Sequence, residues 1–548
     1  MNRFWRTVIH LRPEQLWHRI RLRVLRPWHA SNAYGRYGLD SKKSFLVNQF
    51  LQSLWPGDVQ NGQAMLNGTI HLLGQAHPFA GPVDWQAEGQ TLLWRFTLHY
   101  FEWLADLEAE GSPEAAALGR SVVDDWIAAH PLADAVAWHP YPLSLRLVAW
   151  LRHGPFLLND APADFKTRFE TALTRQARHL RRVPERDVGG NHLIKNLKAQ
   201  TVAALCLGAG NPPMDALKQE VTRQILADGC HYELSPTYHL QVLADLLDLR
   251  ALLADETPDW LSQAIHRMGG ALAFFLPGDG GLAQFNDGDE GDPALINAVI
   301  DQLGGLPEAP PSLSVAGYHR LAADPVVLIM DCAKCCPDDL PAHAHADPLS
   351  FEMSVGAQRM IVNCGTYAYQ DPAWRNRLRG TAAHSTVAVD GLDSAEVYGV
   401  FRLGRRPKTV VGVHDGNAVT GTHDGYRHLK VTHQRCLTLN ENPLRLEGRD
   451  LLEGKMDGRA ARAHFHLHPD VAVTREADHL RLTLPDGVTW IFEAKGGRLH
   501  ITDSVYAPRM GTLRTAKQII LEMTASGDLL MLGWCLRPAP LSEDRGNR

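Results

Sequence analysis

The sequence predicts a multidomain α + β protein, a helical toroid or solenoid followed by an antiparallel β-sandwich. Three observations predict it. The chain has 548 residues, too many for one hydrophobic core, so two or more domains are expected. Between about 90 and 275, apolar residues recur at helical spacing and short Gly, Pro and Asp turns separate the runs. Helix pairs with no strands between them build toroids or solenoids. Past Pro307, Pro310 and Pro311 the pattern changes to alternating runs, several of them separated by Asp-Gly pairs such as Asp390-Gly391 and Asp486-Gly487, as in hairpins of a sandwich. The expected units are a basic segment 1–45, a helical domain 46–312 and a sandwich 313–548.

In chain order, the first unit is rich in Arg and Trp, and an amphipathic helix is expected from Pro13 to Leu25. Packing of that helix on the main body is preferred to attachment at a membrane surface. Met1–Arg6 leads into no apolar core of roughly 7–15 residues and no small-residue cleavage site, so no signal peptide is expected and the sequence alone points to the cytoplasm. No stretch reaches the ~18 apolar residues of a membrane span. Helices are expected over Leu92–Leu104, Pro113–His130, Pro142–Leu151, Asp164–Leu180, His192–Leu207 and Pro236–Leu253. Strands are expected over Val326–Cys332, Leu349–Val355, Arg359–Cys364, Ser385–Val389, Thr409–Val413, Leu429–Leu439, Leu444–Gly448, Ala461–His468, Leu480–Leu484, Thr489–Ala494 and Gln518–Met523.

Apolar residues make up 45% and charged residues 21%, as in soluble globular proteins. A net charge of −6 and no basic tail exclude a nucleic-acid-binding class. An acidic ligand would need a local basic patch, and residues 375–408 hold seven Arg or Lys against three acids. The eight cysteines form no disulfide framework. Cys332-x-x-Cys335-Cys336 lacks the second pair that a zinc ribbon needs, so free thiols are expected.

Candidate chemistry concentrates in a few places. Gly189-Gly190-Asn191-His192 opens a helix, where the glycines permit close backbone approach to a ligand and Asn191 is either a ligand group or an N-cap. Ser235-Pro236 reads as a second helix start with Ser235 as cap, which sets Tyr238 in the first turn. A helix N-terminus and nearby cations would favour its phenolate. His343-x-His345 on a strand would direct both imidazoles to one face, as metal ligands, as a base with its neighbour, or as a hydrogen-bonded structural pair. His384 could complete that group. His464-x-His466-x-His468 reads as structural, and Asn286–Asp292 reads as an acidic surface loop.

The stretch 341–406, with Ala342-His343-Ala344-His345-Ala346-Asp347, Asn363-Cys364-Gly365-Thr366-Tyr367, Trp374-Arg375 and Ala383-His384-Ser385-Thr386-Val387, resembles the C-terminal region of heparinase II/III-like polysaccharide lyases. Segments 94–104, 138–146, 189–193 and 235–239 resemble that family's helical domain. The resemblance implies an incomplete (α/α) toroid followed by an antiparallel β-sandwich, with the site in the cleft between them, and β-elimination of a uronic-acid-containing polysaccharide. It implies Asn191 and His192 as carboxylate binders, Tyr238 as base or acid, and His343 as the base for the other C5 epimer. Arg375 and Arg379 become candidates for anion binding, because Arg forks match planar anions. Trp94, His99, Tyr100 and Arg146 are candidate subsite residues, with helix packing as the alternative.

No cofactor is required by this chemistry. A structural zinc of some members would fall on His345, Asn363 and His384. Asn363 stands where the family pattern carries Asp, and a neutral amide is the weaker ligand. Lys195 replaces an acid found in some relatives and would favour the Tyr238 phenolate if it pointed inward. Many relatives are periplasmic, in contrast to the missing export signal. Two other readings stay open: a non-catalytic polysaccharide-binding or assembly protein, and a metal-dependent glycan hydrolase using His343, His345 and His384.

Overall fold

A computed structural model describes residues 11–40, 44–79, 82–369 and 371–540; the expectation for Met1–Arg6 lies outside them. The helical domain contains Pro113–Ala129, Pro140–Arg152, Ala163–Leu180, Gly190–Leu207, Met214–Gln224, Pro236–Leu253, Asp259–Phe274 and Pro293–Leu303, arranged as the incomplete toroid. Its core is aromatic: Trp126 and Trp150 meet edge to face at 5.4 Å, and Phe101 packs on Trp150. The single helix expected over Leu92–Leu104 is two, Leu92–Tyr100 and Leu104–Glu110, because Phe101 adopts a left-handed backbone (φ 59°). A small hairpin, Thr69–Leu72 with Gln75–Pro78, interrupts the helices.

The C-terminal domain is two antiparallel sheets packed face to face, with no closed barrel. In spatial order the nine-stranded sheet runs Arg498–Tyr506, Arg514–Thr524, Ala460–Leu467, Gln358–Val362, Phe351–Val355, Val326–Asp331, Tyr318–Ala323 and Ser312–Leu313, and Val387–Val389 pairs on Ala460–Leu467. The eight-stranded sheet runs Val410–Asp415, Ala418–His423, Val431–Glu441, Leu444–Gly454, Leu529–Pro538, Thr489–Lys495, His479–Thr483 and Ala472–Glu476. Their inner faces meet at Phe351, Phe465, Phe492 and Trp534; Phe351 stacks on Trp534 at 5.6 Å. Alternate burial along Val431–Glu441 and Leu444–Gly454 is the period of two that a half-buried strand requires.

A third apolar cluster joins the domains: Leu234, Phe274, Phe275 and Phe285 of the helical part pack with Leu313, Tyr318 and Ile329 of the sandwich. Tyr318 donates its hydroxyl to the Leu234 carbonyl at 2.8 Å. Arg320 bonds the carbonyls of Phe274 and Leu276. These contacts fix the start of the Pro236–Leu253 helix against the sandwich, and the cleft forms at that seam.

The N-terminal helix, Pro13–His29, runs four residues past the expected end at Leu25. It does rest on the body, but through Gln15, His18, Leu22, Leu25 and His29, while Trp17, Ile20, Val24 and Trp28 face outward.

Candidate functional site

Two helix starts and one irregular loop converge on the cleft. Gly189 and Gly190 have φ of 76° and 60°, which glycine adopts without steric cost. A Cβ on Gly190 would lie 2.4 Å from Glu233 Oε1 and 2.6 Å from Leu340. The tight turn presses Asn191 onto Glu233: the Asn191 backbone N–H donates to Oε1 at 2.7 Å and its side-chain amide lies 3.1 Å from both carboxylate oxygens. Asn191 is therefore no N-cap. Its Oδ1 is buried without a hydrogen-bond partner, an exception that calls for a reason in a native fold. His192, next along the helix, pairs with Glu185 at 3.1 Å and packs at a tilt against Tyr141 with centroids 4.1 Å apart. Burial alone would lower its imidazole pKa, but the Glu185 and Glu233 carboxylates outweigh that and raise it.

Tyr238 stands in the first turn of Pro236–Leu253. Ser235 does not cap that helix; its hydroxyl donates to the Asp287 carbonyl at 3.2 Å. The Tyr238 ring packs against His343 in a tilted contact with centroids 4.0 Å apart, and its hydroxyl bonds the Tyr369 hydroxyl at 2.8 Å. Burial, then Tyr369 and Asp287, raise the phenol pKa well above its usual value. These surroundings disfavour the expected phenolate. Lys195 does not approach it, because its ammonium bonds Asp245 at 2.8 Å.

His343 and His345 lie in an irregular loop, not on a strand. They converge because Asp287 sits between them: His343 Nδ1 is 2.8 Å from one oxygen and His345 Nε2 is 2.8 Å from the other. Both terminal nitrogens of Arg375 donate to the same carboxylate. Burial would raise the Asp287 pKa, but the Arg375 guanidinium and the two imidazoles hold it well below the carboxylate range. The far nitrogen of His343 lies 3.4 Å from Glu233. One buried chain thus runs from Asn191 through Glu233, His343 and Asp287 to Arg375.

Several assignments change. Asn286 and Asp287 belong to no surface loop; they are 2% and 3% exposed, inside the seam. Arg375 is committed to Asp287 and to the carbonyls of Ala342 and Val400. Arg379 is fully buried on the carbonyls of Pro341, Ala344, Gly399 and Val400. Neither guanidinium is open to a ligand; they hold the histidine loop. Trp94, His99 and Arg146 are likewise core groups: Arg146 bonds Gln176 and the His99 carbonyl and lies 3.9 Å over Trp126, and His99 accepts from Trp126. Tyr100, by contrast, lines a cavity of about 440 Å³ inside the toroid, together with Tyr141, Arg152, Lys195 and Lys198. The cavity reaches the catalytic candidates through Tyr141. Its cations are matched by acids: Lys195 and Lys198 bond Asp245, and Lys198 and Arg152 bond Asp248.

Metal-ligating groups also regroup. His345 Nδ1 and His384 Nε2 are 3.0 Å apart, and with the Asp347 carboxylate they form the one three-donor cluster among the described residues. His384 pairs through its other nitrogen with the Gly380 carbonyl at 2.8 Å, an orientation common in metal-binding histidines. Asn363 is engaged by the protein itself: its amide donates to the Gln284 carbonyl and accepts from the Ser385 backbone N–H. Two imidazoles and a carboxylate suit zinc, with Asp347 in the place expected for Asn363. The cysteines are free thiols. His464 and His466 pair with Gln518 and with Ser504 and the Ala382 carbonyl, as structural histidines.

Glu233, Asp287, Glu185 and Tyr369 were not expected. Glu233 alone carried a signal, two positions before the Ser235-Pro236 helix start; the others acquire partners only across the seam.

The sequence model described as "Heparinase II/III N-terminus" matches residues 75–306, and the one described as "Heparinase II/III-like, C-terminal" matches residues 306–535. A curated relative, "FtsZ-localized protein C" of Caulobacter vibrioides, is 30% identical over 506 residues, covering 85% of this chain and 86% of its own. Among solved structures, heparinase III superposes with a TM-score of 0.75 at 16% identity over 97% of this chain and 93% of its own. The heparan sulfate lyase HepC of Pedobacter heparinus gives 0.57 at 20% identity over 94% and 90%.

Proposed function

Since the chain belongs to the heparinase II/III-like family, we propose that it is a polysaccharide lyase that cleaves a uronic-acid-containing chain by β-elimination. The observation that carries this reading is the close Tyr238–His343 ring contact flanked by Asn191 and His192 in one cleft. Elimination needs the uronate carboxylate neutralised, a base at C5 and an acid at the leaving oxygen. Asn191 and His192 bind the carboxylate; the raised pKa of His192 keeps positive charge on it to higher pH. The C5 proton passes to His343. The C4–C5 double bond forms as the C4–O bond breaks. Tyr238, held as a neutral phenol, protonates the departing oxygen. Asp287 and Glu233 orient His343 from its two sides. Because the cavity cations are already matched to Asp245 and Asp248, the site favours a carboxylate-bearing chain over a densely sulfated one.

A zinc ion fits His345, Asp347 and His384, and there it would brace the histidine loop. Those donors are buried and exclude His343, which weighs against a metal-dependent hydrolase. The second reading, a non-catalytic polysaccharide-binding role, draws on the relative's name, "FtsZ-localized protein C", and on the prior engagement of Asn191 by Glu233 and of Tyr238 by Tyr369.

Ultraviolet absorbance of the unsaturated uronate product, followed over alginate, glycosaminoglycans and bacterial exopolysaccharides, separates these. Absorbance should rise with the native chain and fall by roughly a hundredfold or more in Tyr238→Phe, the scale of a lost acid–base group. A flat trace from folded protein that still binds a polysaccharide would favour the second reading.

A further inference from the structure

A surface helix of a globular protein ordinarily turns its apolar face to the core and its charges to water. Pro13–His29 instead leaves an apolar arc facing water. Gln15 is its only buried residue, and several of its anchors on the body are polar: Gln15 to the Val188 carbonyl, Arg21 to the Arg182 carbonyl and the flanking Arg12 to Asp339 at 2.8 Å. Trp17, Ile20, Val24 and Trp28, spaced three, four and four, are 63%, 59%, 71% and 46% exposed. At about 100° per residue they fall, with the exposed Leu16, on one arc of roughly 120°, opposite the face that touches the body. Arg23 borders one edge of this arc and Arg21 the other, with Arg19 and Arg26 behind Arg23. Residues 11–40 hold six arginines and two acids, Glu14 and Asp40, a balance of +4 in a chain of net −6.

An exposed apolar arc of this kind needs an occupant, and its charge identifies one. Trp17 and Trp28 along the edge beside Arg21, aliphatic residues across the rest of the arc and arginines along both borders match the depth profile of a bilayer surface. Indole rings lie at the headgroup level, aliphatic side chains lie just below, and guanidinium groups meet lipid phosphates. We propose that Pro13–His29 is an interfacial helix that holds the protein on an anionic phospholipid bilayer, its axis in the plane of the surface. Among the described residues no helix is long and apolar enough to cross a membrane, so the attachment is peripheral and reversible. The helix starts beside the candidate site: Arg12 lies 3.6 Å from where a Cβ on Gly189 would stand, and Gln15 bonds Val188. Attachment therefore brings the Gly189–Gly190 turn to the bilayer side of the molecule.

The test is co-sedimentation of the full chain with vesicles of phosphatidylcholine alone and of phosphatidylcholine mixed with phosphatidylglycerol. The native chain should pellet with the mixed vesicles and stay in solution with the neutral ones, and added salt should weaken binding. Ile20→Glu with Val24→Glu should lower the bound fraction roughly tenfold or more, since two carboxylates cannot enter the acyl boundary without a large penalty. Ile20→Leu with Val24→Leu should restore it. Arg23→Ser with Arg26→Ser should weaken binding and flatten its salt dependence. All these side chains are exposed, so the unfolding temperature should not change. No pelleting of the native chain with mixed vesicles overturns the proposal, as does equal pelleting of the Glu variant. Self-association abolished by the Glu substitutions, with no vesicle binding, also overturns it and assigns the arc to a second copy of this chain.

Discussion

Asp287 shows how far one residue's role can depart from its local sequence. It sits in a run of Asn, Asp, Gly and Glu that reads as a solvated turn, and its partners lie 56, 58 and 88 residues further along. Nothing within hydrogen-bonding range in sequence announces them. In the fold it is a buried anion held by a guanidinium and two imidazoles. Removing one member of such a group leaves an uncompensated buried charge, which costs about 3–5 kcal/mol. Asp287→Asn should lower denaturant stability by that amount, because Arg375 is left buried and unpaired. Asp287→Asn combined with Arg375→Met should recover part of it. Equal loss in single and double variants would show that the ion pair is not what stabilises the seam. The helix starts that carry Asn191, His192 and Tyr238, by contrast, are legible because their Gly and Ser-Pro signals are local, whereas the roles given to these residues and to His343 come from the family resemblance.

At the scale of elements, the helices were legible where periodicity and a terminal signal agreed, as for Pro113–Ala129, with Ser112 as cap and Pro113 in the first turn. Leu529–Pro538 was not expected, although it is central in the eight-stranded sheet. Its run of Leu, Met, Trp and Cys shows no polar alternation, because Leu529 and Met531 are apolar yet exposed. The Gly189–Gly190 turn is the element most exposed to a single change. Gly190→Ala combines a left-handed backbone with a Cβ at 2.4 Å from Glu233. It should destabilise the chain by about 1 kcal/mol or more and displace Glu233 from Asn191 and His343. Unfolding by denaturant measures the first effect and the elimination rate the second; an unchanged rate would remove Glu233 from the account of His343.

For the whole molecule, burial of histidine couples the fold to acidity. His99, His179 and His239 are lowered to about 3 and His231 to about 4, with burial the largest cause in each. Unfolded, each returns to the ordinary value near 6.5. Between 6.5 and about 4 the unfolded chain binds more protons, so stability is full above pH 6.5 and falls as pH falls. The loss is about 1.4 kcal/mol per pH unit per histidine. Glu352, raised to about 6, and Glu102, Asp187 and Asp289, also raised by burial, work in the opposite sense, while His319 and His466, lowered to about 4 and about 3, add to the histidine effect. Thermal unfolding should weaken steeply from pH 6.5 toward 4.5. A flat profile over that range would mean that these histidines are not neutral in the folded chain.

The sequence by itself determined the two architectures and the residues of the first-turn motifs, because helix and strand periods, turn pairs and helix-start signals are properties of neighbouring residues. It also supplied the basic, Trp-rich character of the N-terminal helix. Only the tertiary structure decided which charges are free to act. Arg375 and Arg379 are withdrawn into the histidine loop, Lys195 into an ion pair, Asp287 into the seam and Asp347 into the histidine cluster, while the apolar face of Pro13–His29 is left outward. The reason is physical. A side chain's chemistry is set by its desolvation and by the partners that reach it, and in this fold those partners come from segments tens of residues away.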